Sequence, residues 1–244
     1  MAMPAKRICE AELLGLVEYR RALAMQESAA ASLGAGKLPE QLFLLEHPHV
    51  FTLGRGAEAT NILATNRELD EHSIEVHETG RGGDVTYHGP GQLVGYPILN
   101  LRPDRCDVHR YVRDIEEVLI RTLSDFGISG TRLAGLTGVW VGNEKIAAIG
   151  VRIARWITSH GFALNVSTDL SYFGMIVPCG ITDKGVTSLS RLLTTGVGLR
   201  ETAVSLIRHF QEVFDREVRV TGDGWLEAGS VAEYRSSDAA VHGG

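Results

Sequence analysis

Arg81-Gly82-Gly83-Asp84-Val85-Thr86-Tyr87-His88-Gly89-Pro90-Gly91-Gln92 runs without a break into Leu93-Val94-Gly95-Tyr96-Pro97. The second half has strand character that continues to Leu101, and Pro97 points to an edge or a bulge, because proline cannot donate to a sheet ladder. The first half, taken from Gly80, holds five glycines in thirteen positions. Glycine permits positive φ and lets a ligand approach the backbone closely. Two readings stand: a backbone floor for a substrate, with Arg81, Tyr87 and His88 as its polar fittings, or tight turns at sheet edges. A familiar nucleotide loop is excluded. A GxGxxG match from Gly80 fails at Val85, Gly89-Pro90-Gly91 has the wrong spacing, and no GxxxxGK[ST] occurs, so ATP binding has no support.

The flanking pattern places this stretch in a mixed sheet. Leu13, Leu16, Val17, Ala24 and Met25 recur at helical spacing, so 10–33 reads as a helix stopped by Gly34 and Gly36. Strands are expected at 41–45, 50–53 and 74–77, with a short helix opening near Asn66. Asp107 caps a helix over 108–126 that Gly127 ends. Gly142-Asn143 is a hairpin turn between Gly138–Val141 and Lys145–Val151. Strand-like runs follow at 151–158 and 161–166, then a helix at about 201–215 and a last strand from Arg216 to Val220. This is the pattern of an α+β fold, one domain of mixed β-sheet flanked by helices. We expect that domain to span 1–225, with its core at about 38–222. The Ser-, Ala- and Gly-rich residues 226–244 read as a loose tail.

Composition narrows the function. The chain has 244 residues, 44% hydrophobic and 22% charged, with 24 Lys+Arg against 30 Asp+Glu and a formal charge of −6. Nucleic acid is an unfavourable partner for that balance. Three sparse cysteines, Cys9, Cys106 and Cys179, form no CxxC pair, which argues against a zinc cluster or disulfide framework and fits a reducing compartment. There is no signal-peptide core and no apolar run long enough for a membrane span. The expectation is a cytoplasmic protein with no metal or cofactor.

Two side chains could carry chemistry. Cys179 sits in Val177-Pro178-Cys179-Gly180-Ile181, a turn between apolar residues. It reads either as a small buried hydrophobe or as a nucleophile whose thiolate a nearby cation stabilises. Lys145 opens an apolar strand and reads either as a solvated terminus or as that cation. His47-Pro48-His49 reads as a turn rather than a metal pair, and the other histidines, His160 among them, receive no role.

The long stretch 81–97, together with Gly142-Asn143-Glu144-Lys145-Ile146-Ala147-Ala148-Ile149-Gly150, His160-Gly161-Phe162-Ala163-Leu164-Asn165 and Pro178-Cys179-Gly180-Ile181, resembles the bacterial octanoyltransferases of lipoate biosynthesis. The resemblance covers roughly 10–220. It implies the fold of the biotin and lipoate protein ligases. It also implies transfer of an octanoyl group from octanoyl-acyl carrier protein to a lysine ε-amine in lipoyl domains of 2-oxo-acid dehydrogenase complexes and in the glycine cleavage H protein. By this resemblance Cys179 holds the acyl group as a thioester, and Lys145 lowers the thiol pKa and moves protons. The substrate contacts fall on Arg81, Gly82, Gly83, Asp84, Val85, Thr86, Tyr87 and His88, on Ala148, Ile149 and Gly150, and on Gly161, Phe162 and Ala163. Nothing points to an obligate dimer, so a monomer is expected. Ala147, Ala148, Ile149 and Leu164 are candidate walls of an acyl tunnel. Arg55, Arg152, Lys184 and Arg191 are candidates for a basic rim that meets an acidic carrier.

Overall fold

Buried Cys9, Ala11 and Leu13 alternate with partly covered Ile8, Glu10 and Glu12, and that period of two decides the first element. The structure, a computed structural model, describes residues 6–177 and 184–225. Its chain opens with strand β1 (Arg7–Leu16), and helix α1 (Tyr19–Gly34) follows. The single helix expected over 10–33 is therefore corrected to a strand and a helix. Leu13, Leu16 and Val17 fit a helical spacing by coincidence: Leu13 is buried and Leu16 is 60% exposed.

The next strands are β2 (Glu40–Glu46) and β3 (Val50–Leu53). Helix α2 (Asn66–Glu71) starts on a reciprocal capping box between Thr65 and Glu68. Strands β4 (Glu75–Glu78), β5 (Val85–His88) and β6 (Gln92–Ile98) precede helix α3 (Val108–Asp125), whose cap Asp107 accepts from the Arg110 N–H. Then come β7 (Thr131–Leu133), β8 (Leu136–Val141), β9 (Glu144–Ala154) and β10 (Ile157–Asn165). The described chain closes with β11 (Gly185–Val186), α4 (Leu189–Leu192), α5 (Leu199–Phe214) and β12 (Arg216–Asp223).

The larger sheet runs β12-β1-β2-β6-β10-β9-β8-β7, with β11 added in parallel to β9, and a smaller sheet runs β4-β3-β5. Every residue of β6 is buried, because both faces of the larger sheet are covered. On one face α3 and α5 pack Tyr111, Ile115, Leu119, Ile207 and Phe210 against Leu42, Leu44 and Leu93. Each such buried side chain contributes about 1.5–3 kcal/mol. On the other face α1 lays Ala22 and Ala29 over Phe43, Leu45 and Val94.

Two expectations about strands are corrected. Pro97 lies in an interior strand with no bulge. The ladder with β10 is interrupted there, and the register Phe162↔Gly95 resumes unchanged at the Ile157↔Asn100 bridge. The run 151–158 is not one strand. Arg155 and Trp156, at φ +53° and +69°, form a tight turn between β9 and β10. Turns with two positive φ values favour glycine and asparagine, and neither is present to signal this one.

Candidate functional site

The glycine stretch forms a loop that is pinned from two sides. The Gly82 N–H donates to the Val151 carbonyl of β9 at 2.9 Å, while the N–H groups of Arg55 and Gly56 donate to the carbonyls of Arg81 and Gly83. The seat requires Gly54: a Cβ there would stand 2.3 Å from the Gly83 carbonyl oxygen. Arg81 is buried and donates to the Thr52 carbonyl (2.6 Å) and hydroxyl (2.9 Å) and to the Gly82 carbonyl. Asp84 staples the loop end, accepting from Asn61 Nδ2 at 2.9 Å and from the Val85 N–H at 2.6 Å.

Two adjoining cavities meet this loop. The larger is a cleft of about 890 Å³, bounded by residues 81–86, by Ala148–Val151 of β9, by Gly135–Thr137 and by Val108 and Val112 of α3. Phe173, Ile176 and Val177 close its apolar side. The smaller, of about 50 Å³, shares Arg81, Thr86, Ala148, Ile149 and Gly150 with the cleft and continues inward to Tyr19, His88, Tyr96, His160 and Gly161–Ala163.

The histidines at the inner end and behind it are uncharged. Burial holds His47 and His160 down to about 4 and His88 to about 3, so all three are neutral near pH 7. Partners fix the tautomers of His47 and His88. His47 Nδ1 donates to the Val17 carbonyl at 2.6 Å, and its Nε2 accepts from the Tyr96 hydroxyl at 2.7 Å. The Asn165 amide donates to the Thr187 carbonyl at 3.0 Å and accepts from Gln92 Nε2 at 3.0 Å. That orientation leaves the Gln92 oxygen to accept from His88 Nδ1 at 2.7 Å.

Lys145 lines the cleft from β9, with Nζ 4.9 Å from the ring centroid of Trp140 directly across on β8. Cys179 lies outside the described residues. The residues on either side of its segment, Val177 and Lys184, both line the cleft. Arg81 and Thr86 border both cavities, Gly82, Gly83, Asp84 and Val85 the cleft alone, and His88 and Gly161–Ala163 the small cavity alone.

Tyr87 lines neither cavity. Strand alternation turns it away, where it stacks on Tyr172 at 5.0 Å and bonds His49 Nδ1 at 2.8 Å. The same correction applies to Ala147 and Leu164, which are packed in the core beneath α3 and α5 rather than along a tunnel. Of the proposed rim, Arg55 and Arg152 are exposed, Lys184 borders the cleft, and Arg191 pairs with Glu144 at 3.5 Å. Sequence reasoning missed Tyr19, Tyr96 and His160. Tyr19 falls inside the helix expected over 10–33, and the pattern around Tyr96 marks only a strand. His160 owes its position to a φ of +56° that only its neighbour Gly161 hints at. Among the described residues no group of three or more His, Cys, Asp or Glu side chains is placed to hold a metal ion, and no helix is long and apolar enough to cross a membrane.

Comparison with known proteins agrees with this arrangement. Residues 18–211 match the family described as Lipoyl protein ligase A/B catalytic domain. The octanoyltransferase of Solibacter usitatus is 55% identical over 212 residues, covering 87% of this chain and 96% of that protein. The octanoyltransferase of Koribacter versatilis is 50% identical, covering 88% and 86%. Among solved structures, lipoate-protein ligase A bound with ATP superposes with a TM-score of 0.72 at 17% identity, covering 87% of this chain and 88% of that one. A bipartite lipoate protein ligase from Thermoplasma acidophilum gives 0.66 at 18%, covering 87% of each. At such identities the likeness establishes the fold alone. From the matched domain and from relatives near half identity over nearly their whole length, the chain belongs to the lipoyl protein ligase A/B catalytic family and, within it, to the octanoyltransferases.

Proposed function

We propose that this chain moves an octanoyl group from octanoyl-acyl carrier protein to the ε-amine of one lysine in lipoyl domains of 2-oxo-acid dehydrogenase complexes and in the glycine cleavage H protein. Residues 1–225 act as one catalytic domain, in the cytoplasm and as a monomer. In the first step the Cys179 thiolate attacks the thioester carbonyl, the bond to the carrier's sulfur breaks, and the carrier leaves as a thiol after taking a proton from Lys145. In the second step the substrate lysine's neutral amine attacks the acyl-Cys179 carbonyl. The C–S bond breaks, an amide forms, and Lys145 takes the amine proton. The first step exchanges one thioester for another and the second runs downhill to an amide, so no ATP is consumed.

The observation that carries this reading is the cleft itself. It brings Lys145, the glycine loop and both flanks of the Cys179 segment to one space. Cys179 follows cleft-lining Val177 by two residues, a span of at most about 7.6 Å between Cα atoms. Arg81–Thr86, Ala148–Gly150 and Gly161–Ala163 bind the substrate, and His88 closes the inner end. Burying the six methylenes of an octanoyl tail along these surfaces contributes roughly 5 kcal/mol. Backbone N–H groups of the glycine loop are the natural oxyanion donors, but those of Gly82 and Val85 are committed to Val151 and Asp84.

The test is donor choice. Purified protein is offered octanoyl carrier protein without ATP or free octanoate with ATP, each with a lipoyl domain, and amide formation is read by mass. Transfer from the carrier alone, lost in Cys179→Ala, is expected. Turnover of octanoate with ATP that persists in Cys179→Ala would establish an adenylate-forming ligase and overturn the proposal.

A further inference from the structure

Trp140 carries a buried polar atom that no described residue satisfies. The residue is 1% exposed, and its indole N–H has no hydrogen-bond partner among the described residues. An orphaned buried donor is destabilising, and a phenylalanine would fill much of this space without one. What indole adds over phenyl is the more negative ring face, the best of the aromatic seats for a cation. A cation is there. Lys145 is the cross-strand partner of Trp140, and its ammonium stands 4.9 Å from the ring centroid. The two-residue Gly142-Asn143 turn sets this pairing through Val141↔Glu144, and the register shifts only beyond it, between Val139 and Trp140. Because the indole is buried it has little freedom to swing aside, whereas the ring and Lys145 both border the cleft.

We propose that Trp140 is a positioning residue for the reaction, its indole face seating the Lys145 ammonium at the cleft wall and favouring its charged form. The inference rests on the role given above to Lys145, and it assigns the residue that prepares that lysine. The effect is electrostatic and has a sign. An aromatic face stabilises the protonated amine, so removing it lowers the affinity of Lys145 for its proton. A less protonated Lys145 in turn gives weaker support to a thiolate beside it.

Two readouts separate the inference from the reading beneath it. Lysines of the full chain are reductively methylated with ¹³C-formaldehyde, which preserves their charge, and the Lys145 resonance is assigned by its absence in Lys145→Gln and titrated by NMR. Trp140→Leu is expected to lower the Lys145 midpoint by roughly half to one and a half pH units, and Trp140→Phe, which keeps a ring, by less. An unchanged midpoint in Trp140→Leu overturns the proposal, as does a Trp140→Phe shift as large as that of leucine. The second readout is the pH dependence of alkylation at Cys179, followed by peptide mass. Its midpoint should rise in Trp140→Leu and rise no further when that change is added to Lys145→Gln. A Cys179 midpoint indifferent to Lys145→Gln removes the lysine–thiol pairing of the proposed function, while the lysine titration still decides whether Trp140 seats the ammonium.

Discussion

His47, His88 and His160 condense the chemistry of the site into one property: each is kept neutral by burial, with a proton affinity well below that of a free imidazole. The unfolded chain binds those protons at a pKa near 6.5. Stability from these groups is therefore fully present above about pH 6.5 and is lost as pH falls toward their folded values of about 3 to 4. Each contributes a slope of up to about 1.4 kcal/mol per pH unit in that window. Urea denaturation between pH 7 and 5 should show a decline steeper than one such group supplies, and a flat profile would contradict the assignment. Gly54 makes a steric prediction at the same scale. Gly54→Ala drives a methyl into the Gly83 carbonyl and should cost on the order of 1–3 kcal/mol in the same assay. Acyl transfer should fall with it, because the glycine loop proposed to bind the substrate has to move. Part of this site could be read from residue types alone: the glycine loop with Arg81 and the Lys145 strand are unusual patterns, while Cys179 lies outside the described residues. Tyr19, Tyr96 and His160 could not, since an ordinary tyrosine or histidine announces itself only through what folds against it.

Among the elements, legibility followed how much each one's pattern owed to its own residues. Helices α3 and α5 show an apolar stripe bounded by a cap or a stop and were placed within a residue or two. The Gly142-Asn143 hairpin announces itself through turn chemistry, whereas the Arg155-Trp156 turn does not, because its left-handed positions hold neither glycine nor asparagine. Strand β1 was lost in the helix reading because its short alternation abuts a helix with overlapping apolar positions. The β7–β8 hairpin, one wall of the cleft, is tied down by a carboxylate. Buried Glu116 of α3 accepts from Arg113 (2.7 Å), Arg132 (3.0 Å) and the Gly138 N–H (3.2 Å). Removing it in Glu116→Ala should cost about 1.5–3 kcal/mol of local stability, tempered by the partial exposure of both arginines. Amide hydrogen exchange across 131–141 should then quicken about tenfold or more while the β1–β2 ladder stays protected. Equal loss everywhere would mean that the carboxylate serves the fold as a whole rather than this wall.

For the molecule as a whole, charge poses the problem. On the proposed function, a chain of net −6 receives a carrier protein that is typically acidic, so attraction depends on local cations near the cleft mouth. Arg55 and Arg152 are exposed beside the glycine loop, and Lys184 borders the cleft. The double change Arg55→Glu and Arg152→Glu should raise the apparent KM for octanoyl carrier protein severalfold at low salt, with the gap closing as salt screens it. The KM for a small octanoyl thioester should stay put. An unaltered KM for the carrier would exclude this rim. The central claim, that one thiol in this cleft briefly holds the acyl chain, has a more direct test. The protein is mixed with octanoyl carrier protein in the absence of any acceptor, and its intact mass is measured. The account predicts one added octanoyl group, removable by neutral hydroxylamine, mapped to Cys179 and absent from Cys179→Ala. An unmodified protein that nevertheless transfers octanoyl groups to a lipoyl domain would contradict it.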